Sequence, residues 1–219
     1  MAGKPMRVAV AGANGSTGRA LVDRALSAGH QVTALVRRSD GLPEHPGLRI
    51  GLLDVTSDHD RAAALLEGHD AVISTLGNAL FYRSGPAPKF LAAAHRTLVA
   101  AAQRAGVPRV ATMLAYGSAA TTAPAPPIIR LLAGTLLRRD FRDLAGADAA
   151  LAESGLAWTV VHFGALTDGE HTGAWQLSTD LRRPARYRIA RADVADALLT
   201  VVSRPGYEQR RAVVSGAPR

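Results

Sequence analysis

Three glycines, Gly12, Gly15 and Gly18, stand in the run VAVAGANGSTGRALVDRAL. An apolar run precedes them and a helix-forming run follows. In that setting each glycine has a separate use. Gly12 permits a tight exit from a strand, Gly15 lets backbone approach a ligand closely, and Gly18 lets a helix pack against a sheet. The helix N-terminus then offers unpaired N–H groups and partial positive charge, which suit phosphate oxygens. Asn14, Ser16 and Thr17 add small polar groups at the same turn. The spacing is GxxGxxG, a variant of the dinucleotide-binding GxGxxG, and its strand–turn–helix context supports the same use.

Two further positions bear on what binds. The next apolar run ends VTALVRRSD, so Arg37 and Arg38 occupy the place where an NAD site carries an acid for the ribose 2′-hydroxyl. Guanidinium groups instead suit a 2′-phosphate, by charge and by bidentate geometry. NADP(H) is therefore expected in preference to NAD(H). Asp40 comes too late in the chain for the acidic position. Asp54, at the end of GLLD, could meet an adenine amino group or cap the following turn.

These residues need a scaffold, and the pattern supplies one. Short apolar runs alternate with alanine- and leucine-rich stretches. Strands are predicted at Met6–Ala11, Gln31–Val36, Leu48–Leu53, Ala71–Leu76, Val107–Leu114 and Ala157–Phe163. Short late strands are predicted at Tyr187–Ala190 and Arg211–Ser215. Helices are predicted at Gly18–Ala28, Arg61–Leu66, Phe90–Arg104, Ile128–Arg139 and Asp193–Val202, with a helix end at Asp148–Ser154. Strands such as VAVA and AVIST lack polar alternation, as expected when helices cover both faces of a parallel sheet. The reading is an α/β chain with a Rossmann-like, doubly wound parallel sheet, forming one domain over residues 1–219. Segments near 77–89 and 121–146 follow strand ends and are the candidate substrate side.

Composition narrows the classes. The 219 residues are 47% hydrophobic and contain no cysteine, which excludes disulfides and thiolate metal sites. No His, Asp and Glu grouping has metal-ligand spacing, so no metal is expected. No apolar stretch reaches the roughly 18–20 residues of a membrane span, and no signal segment precedes the first strand. A cytoplasmic protein without a membrane partner is expected. The net charge is +8, almost all of it from arginine, since Lys4 and Lys89 are the only lysines. The arginines are scattered and aromatics are 5%, so no nucleic-acid partner is expected. Nothing in the sequence specifies an oligomeric state.

With these motifs in place, the chain resembles the atypical short-chain dehydrogenase/reductases, in particular NmrA-like proteins and biliverdin-IXβ/flavin reductase. The stretches that carry the resemblance are GANGSTGRAL, VTALVRRSDGLP, GLLDVTS, HDAVISTLG, QRAGVPRV, ESGLAWTVV, HTGA and IARADVADALL. The resemblance implies NADP(H) at the strand C-termini, with Leu76, Gly77 and the Phe163–Leu166 stretch on the nicotinamide side. It also implies reduction of a small conjugated substrate: a flavin, a quinone or another conjugated carbonyl. A cofactor-sensing regulator, or a cyclase or isomerase on the same fold, is the alternative.

The catalytic residue is not specified. The wider superfamily uses Tyr-x-x-x-Lys. Here Tyr82, Tyr116, Tyr187 and Tyr207 are followed four residues on by Pro86, Ala120, Arg191 and Arg211. Leu114-Ala115 replaces the hydroxyl pair often found at the end of the fifth strand, and Ala165 stands where biliverdin reductase carries a histidine. Tyr116 is the candidate acid, with a structural phenol as its competing role. His162 is a second possible donor, and a core histidine is the commoner use of that residue in an apolar strand.

Overall fold

A computed structural model of the chain describes residues 4–39, 41–77, 90–182 and 186–216. The N-terminal strand β1 (Arg7–Ala11) is apolar on both faces, with Val8, Ala9 and Val10 fully buried. Helix α1 (Ser16–Ser27) turns Leu21, Val22 and Ala25 inward and ends before Gly29, whose φ of +80° closes the helix with its N–H on the Leu26 carbonyl. The chain then runs through β2 (Gln31–Val36), β3 (Leu48–Leu52), α2 (His59–Leu66), β4 (Ala71–Ser74) and α3 (Leu91–Arg104). The second half comprises β5 (Arg109–Ala115), α4 (Pro127–Gly134), α5 (Arg138–Ala152), β6 (Ala157–Phe163), β7 (Ala165–Thr167), β8 (Trp175–Ser178), β9 (Arg188–Ala190), α6 (Arg191–Ser203) and β10 (Arg210–Gly216).

Eight strands form one sheet in the order β3-β2-β1-β4-β5-β6-β10-β8. Every neighbouring pair is parallel except β10 with β8, which runs antiparallel at one edge. β7 and β9 form a small parallel pair of their own. The two faces carry separate cores. α1 and α6 cover one, around Leu21, Val22 and Leu198; α2, α3 and α5 cover the other, around Leu66, Leu98 and Leu151. This is the doubly wound, Rossmann-like arrangement expected from the sequence. β3 is the other edge, and Arg61 donates to the Leu52 carbonyl there at 2.5 Å, which occupies part of the exposed ladder.

The expected helix at Ile128–Arg139 is instead two helices. Thr135 departs from helical geometry at φ −120°, ψ −99°, and Leu137 is drawn into the core with its N–H on the Leu132 carbonyl. α5 then runs unbroken to Ala152, of which the sequence suggested only the last turn. The strand expected at Val107 starts at Arg109, because Pro108 has no N–H to give the ladder. β7 and β8 were not anticipated at all.

α3 has no capping side chain of its own. The buried carboxylate of Asp143, on α5, accepts from the N–H groups of Leu91 and Ala92 at 3.0 and 2.9 Å. A carboxylate from a neighbouring helix thus does what an N-cap side chain usually does.

Candidate functional site

The strand order reverses at β1, which lies between β2 and β4. A cleft of about 570 Å³ opens there, at the carboxyl ends of the strands. That is where ligands bind in sheets of this class. The floor is Ala11, Gly12, Asn14 and Gly15. One wall is Leu35–Arg38 with Leu53–Thr56; the other is Thr75, Leu76, Gly77 and Phe90.

The glycine turn is shaped by close contact. Gly12 has φ +82°, and a Cβ on it would meet Thr75 Oγ1 at 3.0 Å and the Leu76 nitrogen at 3.1 Å. Thr75 Oγ1 in turn donates toward the Ala11 and Gly12 carbonyls, at 3.0 and 3.2 Å, and ties the turn to the end of β4. A Cβ on Gly18 would overlap the Gly12 carbonyl oxygen and sit 2.8 Å from the Ala13 Cα, so only glycine lets α1 start this near β1. Gly15 and Ser16 are exposed, whereas Thr17 and Gly18 are buried. α1 has no acidic residue in its first turn, so its free N–H groups and positive end keep their field.

Asn14 bridges the turn and the second strand: its Nδ2 donates to the Arg38 carbonyl at 2.8 Å. Its Oδ1 is buried yet has no hydrogen-bond partner among the described residues. A buried amide oxygen without a donor is costly, and this one belongs to a cleft-lining residue, where a ligand could supply the donor. Arg37 and Arg38 are exposed in the cleft wall. The positive charge of Arg37 reaches Asp54.

Asp54 lines the cleft, but its carboxylate is already engaged. Oδ1 accepts from the Thr56 N–H at 3.0 Å and from the Thr56 hydroxyl at 2.6 Å. Those bonds, the hydroxyl's first, hold its pKa below the ordinary carboxylate value, with Arg37 assisting. The turn-capping use weighed for Asp54 is therefore present, and the helix-initiating position belongs to Asp58. Leu76 and Gly77 also line the cleft. The segment 78–89, expected on the substrate side, lies outside the described residues, as does Asp40.

Three residues at this site were not singled out from the sequence. Thr75 has just been described. Phe90, at the start of α3, closes the far wall. Arg19 donates through Nε to the Asn14 carbonyl at 3.1 Å and lays its guanidinium against Gly41. Its position directly after Gly18 was a usable clue.

The other sequence candidates lie elsewhere. Phe163 is half-buried against the α1–α6 core, and its carbonyl accepts from the Tyr116 N–H at 2.7 Å; it does not line the cleft. Tyr116 is buried, packs with Ala125 and Val213, and its hydroxyl donates to the Leu181 carbonyl at 3.2 Å. It too is absent from the cleft lining. His162 is fully buried, with Nδ1 3.4 Å from Thr121 Oγ1. Burial lowers its pKa to about 4, against the opposing pull of Asp148, so the ring is neutral at physiological pH. Among the described residues no group of three or more His, Asp or Glu could hold a metal, and no helix is long and apolar enough to cross a membrane.

A family profile described as NAD(P)H-binding matches residues 12–205. The chain belongs to the NAD(P)H-binding family. The match begins at the first glycine of the turn, and it agrees with the resemblance to atypical short-chain dehydrogenase/reductases read from the motifs. Solved structures repeat the fold of this NAD(P)H-binding protein across almost its whole length. An oxidoreductase from Lactococcus lactis is 22% identical, over 97% of this chain and 91% of its own, with a TM-score of 0.78. An anaerobilin reductase from Escherichia coli is 22% identical, over 96% and 97%, at 0.77. A proposed NADH-flavin reductase from Streptococcus pneumoniae is 24% identical, over 96% and 99%, at 0.74.

Proposed function

We propose that this protein is an NADPH-dependent reductase that passes hydride to a flavin, a quinone or another conjugated carbonyl. The observation that carries the reading is the placement of Arg37 and Arg38. They stand in the wall of the cleft that holds the glycine turn, at the position where an NAD site places an acid. Guanidinium groups there meet a 2′-phosphate with charge-assisted hydrogen bonds. Gly12, Gly15 and Gly18, with Ser16 and Thr17, would cradle the pyrophosphate at the start of α1. Asn14 Oδ1 would gain the donor it lacks, and Leu76 and Gly77 would flank the nicotinamide. Asp54, already bound to Thr56, would shape the adenine end through its second oxygen. The bound nicotinamide would supply the hydride. The chain's part is to orient the reacting faces and keep water from the cleft floor.

Neither proton donor suggested by the sequence reaches the cleft lining. Tyr116 donates to a backbone carbonyl, and His162 is neutral and enclosed. Acceptors that need no protein acid fit this best, since reduced flavins and quinols take their protons from water. The same observation favours a second reading, a cofactor-binding regulator without turnover.

Calorimetric titration with NADPH and NADH, on the wild type and on Arg37→Ala/Arg38→Ala, tests the assignment. NADPH is expected to bind selectively. The double variant is expected to lose about 100-fold or more in affinity, as two charge-assisted contacts of roughly 1.5–3 kcal/mol each imply. Equal affinity for NADH would overturn the NADP assignment. Selective binding with no oxidation of NADPH by any flavin or quinone would replace the reductase with the regulator.

A further inference from the structure

The turn between α4 and α5 is unlike the rest of the surface. Of the six large hydrophobic side chains exposed among the described residues, three lie in this one segment. Ile128 is 61% exposed, Leu131 60% and Leu136 81%. Ile128 and Leu131 are three apart on α4 and share a face, and Leu136 follows at the turn itself. α4 buries none of its residues fully; its partly buried Ile129 packs toward Tyr116 and Ala125. The apolar tip is ringed by charge of one sign. Arg130, Arg138, Arg139 and Arg142 are all exposed, against Asp140 alone. None of the four makes an ion pair or side-chain hydrogen bond among the described residues. Arg138 and Arg139 also sit in the first turn of α5, where positive charge opposes the helix dipole. Folding alone gives no reason for arginine there.

We propose that this corner docks on an anionic lipid surface, with Ile128, Leu131 and Leu136 entering the headgroup boundary and the four arginines meeting the phosphates. A short amphipathic helix with apolar tips and a basic rim is the composition that lies in a membrane interface. The charge decides among occupants. A second copy of this chain would set four arginines against four arginines, whereas an anionic bilayer neutralises them. Three exposed side chains also make only a small contact, well short of the roughly 800 Å² per partner of a stable protein interface. A fluid lipid surface requires no shape complementarity. The sequence predicts no membrane partner because no stretch is long enough to span one; lying on a surface needs no span.

The test uses the full chain and sedimentation with vesicles of phosphatidylcholine, with and without phosphatidylglycerol. The wild type is expected to sediment with the phosphatidylglycerol vesicles, less so as salt rises, and not with phosphatidylcholine alone. Ile128→Ser/Leu131→Ser/Leu136→Ser and, separately, Arg138→Gln/Arg139→Gln are expected to weaken binding at least tenfold. Both sets lie on the exposed surface, and circular dichroism and NADPH titration should match the wild type. Failure of the wild type to bind anionic vesicles would overturn the proposal, as would binding unaffected by either variant. A dimer that the serine variant converts to monomer would assign the face to a second copy instead. None of these outcomes depends on whether the cleft reduces anything.

Discussion

The two halves of the sheet treat polar groups in opposite ways. At the carboxyl ends of β1, β2 and β4, polar groups line an open cleft, and one atom there, Asn14 Oδ1, has no partner among the described residues. Around β5, β6 and β10 they are buried, and most of them are answered from within. His95 is enclosed, with Nδ1 2.7 Å from the Leu91 carbonyl and Nε2 2.8 Å from Thr112 Oγ1. Arg211 forks onto Asp148 at 2.8 and 2.6 Å and lies 5.0 Å above the Trp158 ring. Tyr116 donates to Leu181. The first half thus leaves polar groups facing an open cleft, and the second spends most of its own on internal order.

Four measurements would break or sharpen that contrast. The largest effect is expected from Gly18→Ala, where the new methyl would overlap the Gly12 carbonyl. Either α1 or the turn must move, at about 3 kcal/mol or more. NADPH titration should show binding lost, and a variant that binds normally would make the tight turn dispensable.

The second is a pH effect centred on His162. Its imidazole has a pKa of about 4 when folded and near 6.5 when unfolded, so between those values the unfolded chain binds the extra proton. Stability from this group is complete above pH 6.5 and drains as pH falls toward 4, by roughly 3 kcal/mol. Burial shifts His95 in the same direction. Urea unfolding at pH 7 and pH 4.5 should show the loss, and His162→Gln should reduce it. An equal loss in that variant would locate the effect elsewhere.

Third, Asp143→Ala leaves the N–H groups of Leu91 and Ala92 without their acceptor, at about 2 kcal/mol. The melting temperature should fall by about 5 °C with NADPH binding retained. An unchanged melting temperature would mean water caps α3 equally well. The smallest effect is expected from Tyr116→Phe, about 1 kcal/mol for one hydrogen bond. Any NADPH oxidation should persist in that variant. Its collapse would return Tyr116 to the role of acid and erase the difference between the halves.

The same contrast governs what the sequence discloses. The glycine turn was legible because its causes are local: Gly12, Gly15 and Gly18 act within seven residues. Strands and most helices were legible from apolar runs and their stops. The second half was less so. The break at Thr135 depends on Leu137 finding room in a core built from distant elements. The cap on α3 comes from Asp143, 52 residues beyond Leu91. β8 is recognisable only by its partner β10, and the pairing of Trp175 with Gly216 spans 41 residues. Thr75 was invisible as a site residue because its hydroxyl works across the sheet, on Ala11 and Gly12.

The place of β10 has a consequence for how the molecule is made. It follows every other described strand, yet it lies inside the sheet, parallel to β6 and antiparallel to β8. On the ribosome, β1 through β4 can pair and close around the glycine turn as soon as they emerge, because their partners are near in the chain. β6 and β8 must wait with open edges until residue 216 is synthesised. The cleft around the glycine turn is therefore assembled early, and β10 seals the opposite half afterwards.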